Sequence, residues 1–180
     1  MIFQPTPLSG VFVIEPERHT DERGFFARTW CKKEFAAKGL CAEFVQCSSS
    51  FNYKRGTLRG MHFQAAPHAE TKLVRCTRGA IYDVALDLRA GSSTYCRWFA
   101  IELTDESLRA LYIPEGVAHG FQTLTDDSEV HYQIAPGFVP AAARGVRWND
   151  PAFAVDWPIR EGITLSQRDA NYVDYTRLDG

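Results

Sequence analysis

The sequence predicts an all-β domain, a sandwich or barrel of short strands. Three observations carry that expectation. β-prone runs follow one another through the middle of the chain, Gly, Pro, Asp and Ser punctuate them at short intervals, and helical periodicity is weak. Many short strands with turns between them suit a sandwich or barrel, and such barrels often hold a ligand in the mouth.

The elements follow in chain order. Met1 to Gly10 carries Pro5 and Pro7 and no apolar run, so no secretory signal is expected. Lys32 to Lys38 predicts a short helix. Phe44 to Ser48 is β-prone. Thr71 to Cys76 leads through Arg78-Gly79 into Ile81 to Asp87, which reads as a hairpin. Strands are then expected over Tyr95 to Leu103, Ala110 to Ile113, Gly120 to Leu124 and Glu129 to Ile134. Ser166-Gln167-Arg168-Asp169 reads as an N-capped turn near the C-terminus. There are no repeats and no linker, so the 180 residues form one domain, 1–180.

Composition narrows the function. The chain is 45% hydrophobic and 13% aromatic with a formal net charge of -2, which argues against nucleic-acid or membrane-surface binding. The five cysteines are odd in number and none has CxxC spacing, so a disulfide framework or a structural zinc site is not expected. No apolar run approaches the ~20 residues a membrane helix needs. A reducing cytoplasm fits these features.

Polar groups stand where a β core would be apolar. They are Leu58-Arg59-Gly60-Met61-His62-Phe63-Gln64, then Lys72, then Pro114-Glu115-Gly116-Val117-Ala118-His119-Gly120. The last has the P-x-G-x-x-H form of a cupin motif, and the first resembles half of the other. The fold therefore resembles a cupin-type jelly-roll barrel with a few short peripheral helices. Gln64 replaces the expected second histidine, and Thr123 the expected asparagine. Two histidines and a glutamine make a poor set for a first-row metal, so no metal is expected and the histidines are free for acid–base work.

The resemblance becomes specific across nearly the whole chain. Asp21 to Phe26, Leu58 to Gln64, His68 to Arg75, Arg78 to Asp87, Ile113 to Phe121, Gly145 to Pro151 and Leu165 to Asp169, in that order, resemble the dTDP-4-dehydrorhamnose 3,5-epimerase family. That resemblance implies a homodimer whose N-terminal ~30 residues are exchanged with the partner. It implies a nucleoside-diphosphate 4-keto-6-deoxyhexose substrate, no cofactor, and a product used in deoxysugar and polysaccharide biosynthesis. Carbon beside a ketone is acidic because its anion is an enolate; a base on one face and an acid on the other invert it.

The resemblance assigns roles residue by residue. His62 matches the base, Asp169 the carboxylate that orients it, Tyr132 the opposite acid and Lys72 the cation at the ketone oxygen. His119 with Asp83 matches a second histidine–carboxylate pair. Arg59 and Arg23 match diphosphate-binding cations, Arg23 lying beside Phe26 on the crossing segment. Gln46 and Phe138 match residues of the pocket. Strict alternation puts Arg59 and His62 on opposite faces of a strand, so both roles require a bulge, for which Gly60 is the candidate.

Three departures bear on specificity. Arg28 stands where thymidine-specific members usually carry a glutamate that accepts the thymine N3–H. Arginine only donates, which suggests a CDP sugar. Phe138 keeps a ring and lacks a tyrosine hydroxyl, and Ala141-Ala142-Ala143 replaces a more acidic stretch. These changes leave open inversion at C3, C5 or both, and a cupin sugar ketoisomerase is the alternative on the same scaffold.

Overall fold

The computed structural model of the chain describes residues 1–176. Its strands are β1 (Ile2–Pro5), β2 (Phe12–Glu15), β3 (Arg18–Asp21), β4 (Gly24–Ala27), β5 (Gln46–Asn52), β6 (Leu58–Gln64), β7 (Thr71–Arg78), β8 (Ala80–Asp87), β9 (Trp98–Thr104), β10 (Ala110–Ile113), β11 (Val117–Thr123), β12 (Ser128–Ala135) and β13 (Ala143–Gly145). Two short helices, α1 (Lys32–Ala37) and α2 (Gln167–Ala170), sit at the periphery. The fold is the all-β, cupin-type jelly roll expected.

Two antiparallel sheets face each other. One has the order β1-β2-β10-β7-β12-β5, the other β13-β6-β11-β8-β9. β3 and β4 form a separate two-stranded hairpin. Between the sheets lies a core of Val13, Val74, Cys76, Ile81, Ala85, Leu111, Ile113, Phe121 and Val130. A second cluster, around Met61, Val84, Leu86, Phe153 and Trp157, forms where the C-terminal chain covers the back of the five-stranded sheet. A third forms where α1 and its loops cover the other sheet, with Phe35 at 0% exposure. Burying that ring contributes about 2–3 kcal/mol. Because the other elements cover these sheets, β8, β10 and β11 are buried along nearly their whole length, polar residues such as Asp83 and His119 included.

The expected hairpin at Arg78-Gly79 is not one. β7 pairs with β10 and β12, whereas β8 pairs with β9 and β11. The chain turns a corner there from one sheet to the other. Gly79 has φ of +75°, and a Cβ on it would meet Thr125 Oγ1 at 2.4 Å. Short spacing and a glycine signal a turn, but not whether the two strands bond to each other.

The bulge at Gly60 is present. His119 pairs with His62 but Phe121 pairs with Arg59, so two steps along β11 match three along β6. The extra residue switches the parity of β6, and both Arg59 and His62 face the interior. Gly60 has φ of +140°, and a Cβ would meet Gly120 Cα at 2.5 Å, so only glycine fits this crossing of strands.

Candidate active site

One mouth of the barrel opens into a cavity of about 650 Å³. That is ordinary for a small-ligand site. Alternation delivers its polar lining. Lys72 on β7, Tyr132 on β12 and Gln46 on β5 come from the six-stranded sheet, while Arg59 and His62 on β6 and His119 on β11 come from the facing one.

His62 Nε2 lies 2.6 Å from Asp169 Oδ1. Burial alone pushes the Asp169 carboxyl up, but the His62 hydrogen bond and charge, the Gly60 amide and Ser166 together hold it below the usual carboxylate range. An ionised carboxylate only accepts, so the shared proton sits on Nε2, and it is Nδ1 that carries the lone pair in the neutral form of the ring. Asp169 itself is fixed by the predicted cap, in which the Asp169 amide donates to Ser166 Oγ at 3.1 Å.

The second pair mirrors the first. His119 Nε2 lies 2.7 Å from Asp83 Oδ1, and both side chains are buried. The His119 ring meets the Tyr132 ring edge-on, centroids 5.8 Å apart. Burial pushes the Tyr132 phenol well above its ordinary value, the Asp83 charge adds to that, and Arg59 partly opposes it. The phenol therefore keeps its proton throughout the neutral range.

Lys72 joins the two walls. Its ammonium donates to the His62 carbonyl at 3.2 Å and pairs with Glu70 Oε1 at 2.8 Å. Arg59 stands at the mouth with its Nε donating to Asn52 Oδ1 at 2.8 Å. Gln46 Oε1 accepts from the Phe138 amide at 3.0 Å, which places that ring at the rim. Gln64 does not face this chemistry: it accepts from the Val139 amide and donates to the His68 carbonyl, tying two loops together. Among the described residues no three His, Cys, Asp or Glu side chains cluster as a metal site.

The cavity thus gathers His62, Tyr132, Asp169, Lys72, His119, Arg59, Gln46 and Phe138, with Asp83 behind His119. It does not gather Arg23, Phe26 or Arg28. Arg23 pairs with Asp21 on the exposed β3–β4 hairpin, where Phe26 is 68% exposed. Arg28 lies 3.4 Å from Glu34. Arg147 pairs with Asp174. Sequence reasoning missed Glu70, the hydroxyls of Ser48 and Ser50, and the rim cations Arg144 and Arg168. Strand parity relative to Gln46 and Lys72 was the signal for the first three.

Comparison with known proteins is consistent along nearly the whole chain. The family model for dTDP-4-dehydrorhamnose 3,5-epimerase matches residues 5–176. A dTDP-4-dehydrorhamnose 3,5-epimerase of Methanothermobacter thermautotrophicus is 43% identical over 172 residues, covering 94% of this chain and 92% of the relative. The crystal structure of the enzyme of that name from Elizabethkingia anophelis superposes with a TM-score of 0.94 at 36% identity, covering 97% of this chain and 96% of the other. A Legionella pneumophila dTDP-6-deoxy-D-glucose-3,5-epimerase, solved in complex with dTDP-4-keto-L-rhamnose, superposes at 0.88 with 35% identity, covering 94% and 89%.

Proposed function

The chain belongs to the dTDP-4-dehydrorhamnose 3,5-epimerase family, and so is an isomerase, and from that membership we propose how its cavity works. The substrate is a dTDP-linked 4-keto-6-deoxyhexose. The observation that carries the reading is an imidazole and a phenol from facing sheets, with an ammonium in the same cavity.

Nδ1 of His62 removes the proton from the carbon beside the ketone. The C–H electron pair becomes the C=C bond of an enolate, and the carbonyl pair moves onto oxygen. The Lys72 ammonium meets that oxygen, where a preorganised cation stabilises the developing charge by about 3 kcal/mol. Tyr132 returns a proton from the other face. Its desolvated hydroxyl suits this task, because it holds the proton until a strongly basic carbon is presented. No electrons leave the sugar, so the reaction needs no cofactor. Arg59 binds the diphosphate at the mouth.

The working unit is a homodimer. Residues 2–15 already pair within the chain's own sheet, so the exchanged part of the first ~30 residues is the β3–β4 hairpin. Its exposed Phe25 and Phe26 favour a partner surface, and Arg23 would reach the partner's cavity. Arg28, engaged with Glu34, gives no ground for excluding thymine. No helix of the described residues is long and apolar enough to cross a membrane. A cytoplasmic location and a role in deoxysugar synthesis suit the substrate.

Proton NMR in deuterated water tests the reading, using dTDP- and CDP-4-keto-6-deoxyglucose in parallel. The expected result is deuterium at C3 and C5 of the dTDP sugar with inversion. Label at one carbon would make the enzyme a single-site epimerase. A carbonyl moved to C3 would make it a ketoisomerase. No exchange into either sugar would end the proposal.

A further inference from the structure

Glu70 is a buried carboxylate that the mechanism above does not use. It precedes β7, lines the cavity and is 7% exposed. Two residues on, along the same side of the strand, stands Lys72, equally enclosed. A carboxylate withdrawn from water is costly unless it is paired, and here the pair is close, at 2.8 Å.

The geometry gives that pair a purpose beyond charge balance. An ammonium carries three donors on a flexible four-carbon stem. The His62 carbonyl takes one donor at 3.2 Å and Glu70 takes the second. Two anchors, one on each wall, fix Nζ in place and leave a single donor for a ligand oxygen. One anchor alone would let the stem swing. We propose that Glu70 is a positioning residue: it holds the Lys72 ammonium at the spot where the ketone oxygen becomes an enolate, at a set distance from the strand that carries His62. The proposal rests on the epimerase reading and adds a residue to it.

The consequence is that Glu70 acts only through Lys72. A double-mutant cycle reads this directly, with kcat and KM measured on the dTDP-4-keto sugar, dTDP affinity, and thermal melting to establish folding. Lys72→Ala is expected to lower kcat about 100-fold. Glu70→Ala is expected to lower kcat about tenfold with KM and dTDP affinity within about twofold, since only the transition state loses a contact. The double variant is expected to be no slower than Lys72→Ala alone. A merely structural Glu70 would slow Lys72→Ala further, and that additive result would overturn the proposal, as would a Glu70→Ala enzyme with wild-type kcat. If Glu70→Ala does not fold, Glu70→Met, which keeps the length of the side chain and removes the acceptor oxygens, enters the same cycle under the same criteria. An inert wild type would instead sink the epimerase reading, and this proposal with it.

Discussion

The molecule builds the same chemical pair twice on neighbouring strands, and the two copies differ mainly in their access to the cavity. His62 and His119 are register partners on β6 and β11, each bonded through Nε2 to an aspartate at 2.6 and 2.7 Å. The His62 side chain is 39% exposed and the His119 side chain 4%. The carboxylates also come from different places. Asp83 is part of β8, within the barrel, whereas Asp169 arrives on a four-residue helix from the C-terminal segment. An open imidazole with an oriented lone pair can exchange a proton with a ligand. A sealed one, with its carboxylate at 0% exposure, is part of the wall. The contrast teaches that two chemically equal histidine–carboxylate pairs can differ widely in exposure, the His62 ring being the more open of the two.

Alanine at each histidine is the strongest way to break that contrast. His62→Ala is expected to slow solvent-deuterium exchange into the 4-keto sugar by about 1000-fold, equivalent to about 4 kcal/mol, with little change in melting temperature. His119→Ala is expected to show the reverse emphasis. It leaves the Asp83 carboxylate enclosed without its partner, while Asp83 Oδ2 already lacks a hydrogen-bond partner among the described residues, and should cost about 3 kcal/mol of stability by denaturant unfolding. A His119→Ala protein that unfolds like wild type would dissolve the distinction between an open pair and a structural one.

Tyr132 sharpens the comparison from the opposite wall. Phenylalanine keeps the edge-on ring contact with His119 and removes only the acidic hydroxyl. Deuterium should still wash into the sugar at close to the wild-type rate, because in the proposed mechanism His62 removes the proton, while inversion falls about 100-fold. Exchange and inversion lost in parallel would show that Tyr132 shares in proton removal.

The contrast between the pairs also marks what the sequence could show. The fold class, the cap at Ser166 and the bulge at Gly60 were legible because each is a local rule: strand spacing, a serine before an acidic turn, and two functional residues that alternation alone would separate. The sheet assignment of β7 and β8 was not, because a tight glycine turn looks the same whether strands pair or part, and the jelly roll decides that through contacts far along the chain. Glu70 escaped notice for a related reason. An acid two residues before a lysine on a strand reads as a solvated pair until the opposite sheet closes over it. The contact of Arg28 with Glu34 was not legible either, because Glu34 comes from α1, a packing fact no motif contains.

The smallest effect is the pH response that the Asp169 carboxylate gives the open pair. Asp169 is held below the ordinary carboxylate value although burial opposes this, so its ionised form is stabilised by the fold. The sign follows from linkage. A carboxylate with a depressed folded value contributes stability above its unfolded value, near pH 4, and that contribution is lost as pH falls through the lower folded value. Asp169→Asn removes the titrating group while keeping a side-chain oxygen for the Gly60 amide, and the cap, made by the backbone amide of residue 169, is untouched. Its melting temperature should therefore fall less steeply than that of the wild type as pH drops from about 6 to about 3. Exchange activity, by contrast, should fall across the whole range, because an amide no longer fixes which nitrogen of His62 carries the proton. A variant with the wild-type acid limb would mean that the open pair contributes orientation alone, and that the fold's acid sensitivity resides in other carboxylates, such as Asp87, which three side-chain donors hold down to about 2 against the effect of its burial.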